Sequence, residues 1–294
     1  MKYIYTLNSF DIIQCVGCCS STVSVPPSED EIEKYYDGFM FNARPSRKKF
    51  IFNSKIEGWL KNMGLPANAA MLDIGGGGGF FSHAFESFGL GRAFYVDLDA
   101  KACEFARNEL SLDRVYNTKV EDISSLPNNK FDFVFCRHVI EHLTRPDELI
   151  LQAIDAMADR GVFHLQCPNG ISLERLGYYS YARKRVKALR KGNPNFSGLS
   201  AWALMLGKKI PYGINPINHL WSITEEGLNA FLAGIDGIQY EVFTAPLNDA
   251  VYSPWLASGG VKKTAHSWLM ASTLGKIRGG AHLIATIKKL DGSV

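Results

Sequence analysis

The sequence predicts an α/β protein: a doubly wound, mainly parallel seven-stranded sheet with cap insertions. Three observations carry this expectation. From Ala70 onward, short apolar runs alternate with longer helical patterns, the rhythm of βαβ units. One such run enters five consecutive glycines, Gly75 to Gly79, directly before a helix pattern. The next run ends in Asp97, where doubly wound folds place an acid on ribose hydroxyls.

Taken in order, the strands are expected at residues 70–74, 93–96, 115–118, 131–136, 162–166, 239–244 and 282–287. A helix at 48–63 precedes the first strand and is ended by Gly64. Asp99 is read as the cap of a helix at 100–110, a further helix spans 146–158 and closes near Gly161, and another is capped near Thr224. Two stretches break the rhythm, at about 171–221 and 246–280, and insertions of that length in a compact domain are usually functional or flexible. The expected organisation is an N-terminal segment over 1–45 and a catalytic-type domain over 46–294 that carries both insertions as caps.

With 294 residues, 46% of them hydrophobic, the chain can bury a full core and suits one decorated domain. A net charge of +3, with acids and bases interspersed, gives no general reason for nucleic-acid binding. No apolar run approaches the roughly 18–20 residues of a membrane span, and Asp11 interrupts the start before a signal-peptide core, so the expectation is a cytoplasmic chain that does not enter membranes. Cys15, Cys18 and Cys19 crowd one stretch while Cys103, Cys136 and Cys167 fall in regular elements, a distribution unlike a disulfide framework.

The glycine run sorts the ligand classes. A dinucleotide fingerprint needs glycine at its first, third and sixth positions, but counting from Gly75 or Gly76 the sixth is Phe80 or Phe81. A phosphate-binding P-loop needs Gly-Lys and a hydroxyl residue at its end, and no lysine follows here before the helix. What stands is glycine at alternate positions, Gly75, Gly77 and Gly79, behind Asp73. This resembles the first motif of the class I S-adenosylmethionine-dependent methyltransferases; a turn serving only strand-to-helix packing is the plainer alternative. The resemblance runs from about residue 48 to 232. It implies a Rossmann-like methyltransferase fold with S-adenosylmethionine as cofactor, held by Asp73, Gly75, Gly77 and Gly79, with Asp97 on the ribose.

Further along, Val120-Glu121-Asp122-Ile123-Ser124-Ser125-Leu126-Pro127 carries an acid four residues before Leu-Pro. By the same resemblance Asp122 binds the adenine amino group and the Ile123 amide meets the ring, whereas Glu121-Asp122 alone reads as a solvated loop pair. The segment Cys136-Arg137-His138-Val139-Ile140-Glu141-His142-Leu143 is similar to the one that faces the transferred methyl group in small-molecule methyltransferases. In the ubiquinone-pathway O-methyltransferases that segment gives Glu, Glu and His to a divalent metal. Here His138 stands in place of the first Glu, and no metal is expected. Glu141 and His142 also read as polar groups tying down a loop.

Cys167-Pro168-Asn169-Gly170 and the stretch from Asn215-Pro216 through His219-Leu220-Trp221 resemble segments of a broad bacterial subgroup that methylates sugars, lipids and secondary metabolites. The start, from Cys15-Val16-Gly17-Cys18 to Tyr35-Tyr36, resembles the second half of a zinc ribbon without its first cysteine pair; structural zinc needs four ligands, so a degenerate remnant is expected.

Methyl transfer is an in-line displacement from an already activated donor, so alignment is the main requirement. For a hydroxyl or protonated amine acceptor a base helps, and His138 and His219 are the candidates, although His219 also reads as a structural histidine. The six bases between Arg183 and Lys191 fit either a solvated helix face or a guide for an anionic small-molecule acceptor. Aromatics of the insertions, among them Tyr178, Tyr179, Tyr181, Trp202, Tyr212, Trp221, Tyr252 and Trp255, fit either a pocket wall or cap packing. The rival readings are a non-catalytic S-adenosylmethionine-binding protein and a Rossmann-type oxidoreductase.

Overall fold

A computed structural model describes residues 1–36, 54–128, 130–178, 213–249, 251–252, 265–274 and 279–291, with isolated positions from 182 to 203 and at 276. In chain order the elements used below are β1 (Lys2–Leu7), β2 (Phe10–Gln14), β3 (Ser21–Val23), α1 (Glu29–Tyr36), α2 (Ser54–Lys61), β4 (Ala69–Ile74), α3 (Phe80–Ser87), β5 (Gly91–Asp97), α4 (Ala100–Asn108), β6 (Val115–Asn117) and β7 (Phe131–Arg137). They continue with α5 (Pro146–Asp155), β8 (Met157–Pro168), α6 (Leu173–Gly177), β9 (Trp221–Ser222), α7 (Glu225–Leu232), β10 (Ile238–Ala245), α8 (Ala265–Thr273) and β11 (His282–Lys289).

The main sheet has the order β10-β11-β8-β7-β4-β5-β6. Pairs β4–β5, β4–β7, β5–β6 and β7–β8 are parallel, and β11 joins antiparallel to both β8 and β10. All six residues of β4 are buried, which explains why its sequence is a near-continuous apolar run rather than an alternating one. Alternate side chains feed two cores. Leu72, Val134 and Phe163 meet Leu228 and Leu232 of α7 on one face, while Met71, Phe133 and Val162 meet Ile56 and Leu60 of α2 and Phe85 of α3 on the other. Each such fully buried large side chain contributes about 1.5–3 kcal/mol relative to exposure. Winding reverses at β4, whose neighbours β5 and β7 lead the chain to opposite sides, and this leaves a crevice at the carboxyl ends of β4 and β7.

Each expected strand of the sheet is present, with edges moved by a residue or so. The larger difference lies at the end of α5. The helix closes at Asp155, and β8 begins at Met157 rather than near Val162, because buried Met157 pairs with Phe131 of β7. The register then shifts before Phe133 pairs with Val162, in the stretch that holds Arg160 in a left-handed conformation (φ 60°) and Gly161. At Gly161 a Cβ would lie 2.9 Å from the Phe131 carbonyl oxygen. The expected helix at 48–63 is described from Ser54 to Lys61; residues 48–53 lie outside the described residues.

A second sheet, β1-β2-β3-β9, is absent from the sequence expectation. It joins three N-terminal strands to two residues from the far end of the first insertion, with Thr22 opposite Trp221. Its core is Tyr5, Leu7, Ile12 and Val23 with Leu176, Ile214 and Leu220. Thr224 fastens the junction. Its Oγ1 caps α7 by accepting from Gly227 N–H at 3.0 Å and donates to the Cys18 carbonyl at 2.6 Å.

Candidate active site

At the tip of β4 the chain turns through Gly75 (φ 64°), Gly77 (φ 56°) and Gly79 (φ 71°), all in the left-handed region that only glycine enters without strain. Gly79 caps α3 in that conformation. Space demands glycine as well as conformation. A Cβ on Gly75 would lie 2.4 Å from Val139 Cγ2, and one on Gly76 would lie 2.4 Å from the Tyr95 ring. The loop is held by its neighbours: Gly75 N–H and Gly76 N–H both donate to the Val96 carbonyl, and the Tyr95 hydroxyl donates to the Gly77 carbonyl at 2.7 Å.

Asp97, the last residue of β5, closes onto this loop. Its Oδ2 accepts from Gly77 N–H at 2.7 Å and its Oδ1 from Asp99 N–H at 2.8 Å. Asp99 caps α4 by accepting from Lys101 and Ala102 N–H. Asp73 is 2% exposed and accepts from the Ser82 hydroxyl at 2.6 Å. Burial pushes its carboxyl up to about 6, against the pull of Ser82 and the Arg137 charge. Asp122 lies exposed on the 3-10 turn Val120–Ser125, while the Ile123 side chain is buried in the core.

The other side of the crevice is built from imidazoles. His138, just past β7, has a left-handed backbone (φ 56°), a conformation that costs a non-glycine residue roughly 1–3 kcal/mol. It is pinned by its N–H to the Gln166 carbonyl at 2.8 Å and by Nδ1 to Glu141 Oε1 at 3.0 Å. Burial holds its pKa below the usual histidine value. Glu141 is 1% exposed; burial pushes its carboxyl up, but the bond from His138 and the nearby His142 and His219 outweigh this and bring it down to about 2. The His142 ring is held by the Asn218 carbonyl and meets the His219 ring edge-on, centroids 4.7 Å apart. Burial takes His219 down to about 4.

Glu141, His142 and His219 bring their donor atoms within 4.8 Å of one another, the one cluster of metal-ligand chemistry found among the described residues. One Glu141 oxygen in it is already bonded to His138. The thiols of Cys15, Cys18 and Cys19 are free and half-buried.

Several residues at this edge are missing from the sequence expectation. Gln166 Nε2 donates to His282 Nδ1 at 3.2 Å and to the Tyr252 carbonyl, and the His282 ring lies 5.6 Å from that of His138. The Arg137 guanidinium covers the Phe81 ring at 4.9 Å. His164 is enclosed by Phe135, Trp59 and Tyr252. One signal was present in the sequence: His164 and Gln166 are polar residues inside the otherwise apolar run of β8, facing away from Phe163 and Leu165. Glu174 of α6 is buried and accepts through Oε2 from Leu247 and Ala281 N–H, joining the first insertion to both flanks of the second. Tyr179, Tyr181, Trp202, Tyr212 and Trp255 lie outside the described residues, as do Lys184 and Arg185 of the basic stretch, whereas Arg183, Lys187, Arg190 and Lys191 are described and exposed.

The strand order, the glycine tip at the crevice and the acid that ends β5 are the arrangement of the class I methyltransferase fold. In agreement, residues 72–165 match the family model described as a methyltransferase domain. The chain is 27% identical over 175 residues to the mitochondrial ubiquinone biosynthesis O-methyltransferase of Schizosaccharomyces pombe, a match covering 53% of this chain and 62% of that protein. It is 29% identical over 154 residues to the ribosomal protein L11 methyltransferase of Pelobacter propionicus, covering 51% of this chain and 48% of the relative. The chain thus spans less than two thirds of either relative. The 1,6-didemethyltoxoflavin-N1-methyltransferase of Burkholderia thailandensis, solved with 1,6-didemethyltoxoflavin and S-adenosylhomocysteine bound, shares the fold with a TM-score of 0.53 at 13% identity, over 99% of this chain and all of that one.

Proposed function

We propose that the protein is an S-adenosylmethionine-dependent methyltransferase acting on a small-molecule acceptor at oxygen or nitrogen. The observation that carries this reading is the bare main chain at Gly75, Gly77 and Gly79, closed by the Asp97 carboxylate on Gly77 N–H. Such a loop brings a ligand close to the backbone at the carboxyl edge of β4. In this reading Asp97 accepts from the ribose hydroxyls, Asp122 and the Ile123 amide meet the adenine, and the buried Asp73 stiffens the loop through Ser82 at the start of α3. The bound cofactor supplies an activated methyl group on sulfur; the chain's own residues align the acceptor and receive its proton.

His138 is the proposed base, because Val139 beside it packs directly over Gly75. His219 belongs to the same imidazole cluster, one ring further away behind His142. We assign residues 1–45 as a segment clamping the insertion and 46–294 as the methyltransferase domain, with the caps at about 171–221 and 246–280 enclosing the acceptor. An anionic acceptor fits the exposed bases Arg183, Lys187, Arg190 and Lys191 of the first insertion.

Calorimetry of the full chain with S-adenosylmethionine and, separately, with NAD tests the reading. Heat is expected with the first alone; heat only with NAD sinks it. For the base, His138→Ala is expected to lower turnover roughly 10²- to 10⁴-fold with cofactor affinity kept, using whichever acceptor of a hydroxyl and amine panel accepts label from tritiated S-adenosylmethionine. Full turnover in both His138→Ala and His219→Ala would leave alignment alone as the mechanism.

A further inference from the structure

Resting on the methyl-transfer reading, we propose that Glu141 is the positioning residue of a histidine–carboxylate dyad: it holds His138 in the Nδ1–H form, so that Nε2 receives the acceptor's proton. A carboxylate buried to 1% exposure and bonded to an imidazole can only accept, so the proton on that contact belongs to His138 Nδ1. The low pKa of Glu141 agrees with its being ionised.

His138 is fixed at three points. Its backbone is held left-handed, its N–H is bound to Gln166, and its ring is bound to Glu141. A strained backbone retained at such a place is the pattern expected where a side chain must be aimed. The side chain keeps 27% exposure, so the ring is not sealed in the core.

The other imidazoles do not compete for the same oxygen. His142 Nε2 is 3.9 Å from Glu141 Oε1, and its ring is held from the other side by the Asn218 carbonyl. His219 lies against His142 rather than against the carboxylate. From β11, His282 faces His138, but its Nδ1 is occupied by the Gln166 amide. The remaining charge close to His138 is Arg137, the preceding residue.

The acceptor atom bonds to the methyl carbon as the carbon–sulfur bond breaks; the sulfonium becomes a neutral thioether; and the acceptor's proton moves to His138 Nε2. The positive charge that leaves sulfur thereby appears on an imidazolium beside Glu141, whose carboxylate compensates it without rearrangement.

The test needs no known acceptor. In full-length protein with ¹⁵N-labelled histidine, two-bond ¹H–¹⁵N spectra at pH 8 are expected to show neutral His138 protonated on Nδ1, its signals assigned by their loss in His138→Ala. Reactivity of Nε2 is read by diethyl pyrocarbonate, with the His138 adduct quantified by peptide mass spectrometry. Glu141→Gln is expected to mix the two protonation forms and slow that modification at least fivefold, with S-adenosylhomocysteine affinity unchanged within twofold. Glu141→Asp, which keeps the charge, is expected to fall between and serves if the glutamine variant does not fold. A wild-type His138 protonated on Nε2, or equal modification rates in wild type and Glu141→Gln, overturns the dyad. A chain with the expected protonation that binds neither S-adenosylmethionine nor S-adenosylhomocysteine overturns instead the methyl-transfer reading beneath it.

Discussion

The crevice has two unlike walls. On the β4–β5 side, residues 75–79 offer main chain without side chains, and the groups that fix them, Val96, Tyr95 and Asp97, all sit on the adjacent strand. On the β7–β8–β11 side the edge is crowded with side chains, His138, Glu141, Gln166 and His282, drawn from positions up to 144 residues apart in the chain. The first wall suits a ligand that many enzymes share, recognised through backbone; the second can vary its chemistry one side chain at a time. Acid separates them too. Asp73 behind the glycine wall is a carboxyl raised to about 6, whereas His164 behind the other is an imidazole lowered to about 3, in both cases mainly by burial.

The largest expected effect comes from breaking the bare wall. Gly75→Ala puts a Cβ into Val139 and forces a left-handed alanine. It is expected to cost roughly 2–4 kcal/mol of stability and to abolish cofactor heat in calorimetry, whereas a stable variant binding normally would show that the loop tolerates side chains. Next in size is Asp97→Ala, expected to weaken S-adenosylmethionine by roughly 10- to 100-fold, the worth of one or two hydrogen bonds to a charged group. Unchanged affinity there would remove the ribose assignment.

The smallest effect sharpens the contrast between the walls through pH. For His164 the folded pKa lies below the unfolded one, so its contribution is full above about 6.5 and is lost as pH falls toward 3. His164→Phe, between Phe135 and Tyr252, is therefore expected to flatten the loss of stability between pH 7 and 5 by roughly 1–2 kcal/mol. Asp73 has the opposite sign: its contribution is full below about 3.8 and is lost as pH rises through 6, so Asp73→Asn should steepen the same acid loss. Urea midpoints of the three proteins at both pH values check this, and parallel curves would refute it.

The same contrast explains what the sequence made legible. The glycine wall could be read because its signal is local: alternate glycines behind Asp73, and Asp97 at the end of the next apolar run. The strands could be read for a related reason, since β4, the middle of β7 and β8 from Val162 onward are buried and mostly apolar. The start of β8 was misplaced because the Ala-Asp-Arg-Gly stretch after Met157 looks like a helix end, and only pairing with Phe131 makes it a strand. The histidine wall was read in part, since His138 and His219 carry their own motifs. Gln166 and His282 acquire their meaning only from a contact across 116 residues, which no local pattern encodes. The N-terminal sheet failed for the same reason, because its fourth strand is two residues long and arrives from position 221.

That fourth strand sets an order of events on the ribosome. Ser21 and Thr22 pair with Ser222 and Trp221, and Thr224 closes on Cys18. Strand β3 therefore waits for about 200 further residues before its partner is made, some ten to forty seconds at ordinary translation speed. Meanwhile the N-terminal strands present an open edge and the apolar faces of Tyr5, Leu7 and Ile12 to whatever is nearby. The N-terminal sheet is thus completed only by a pairing of high sequence separation, the kind of contact that forms slowly.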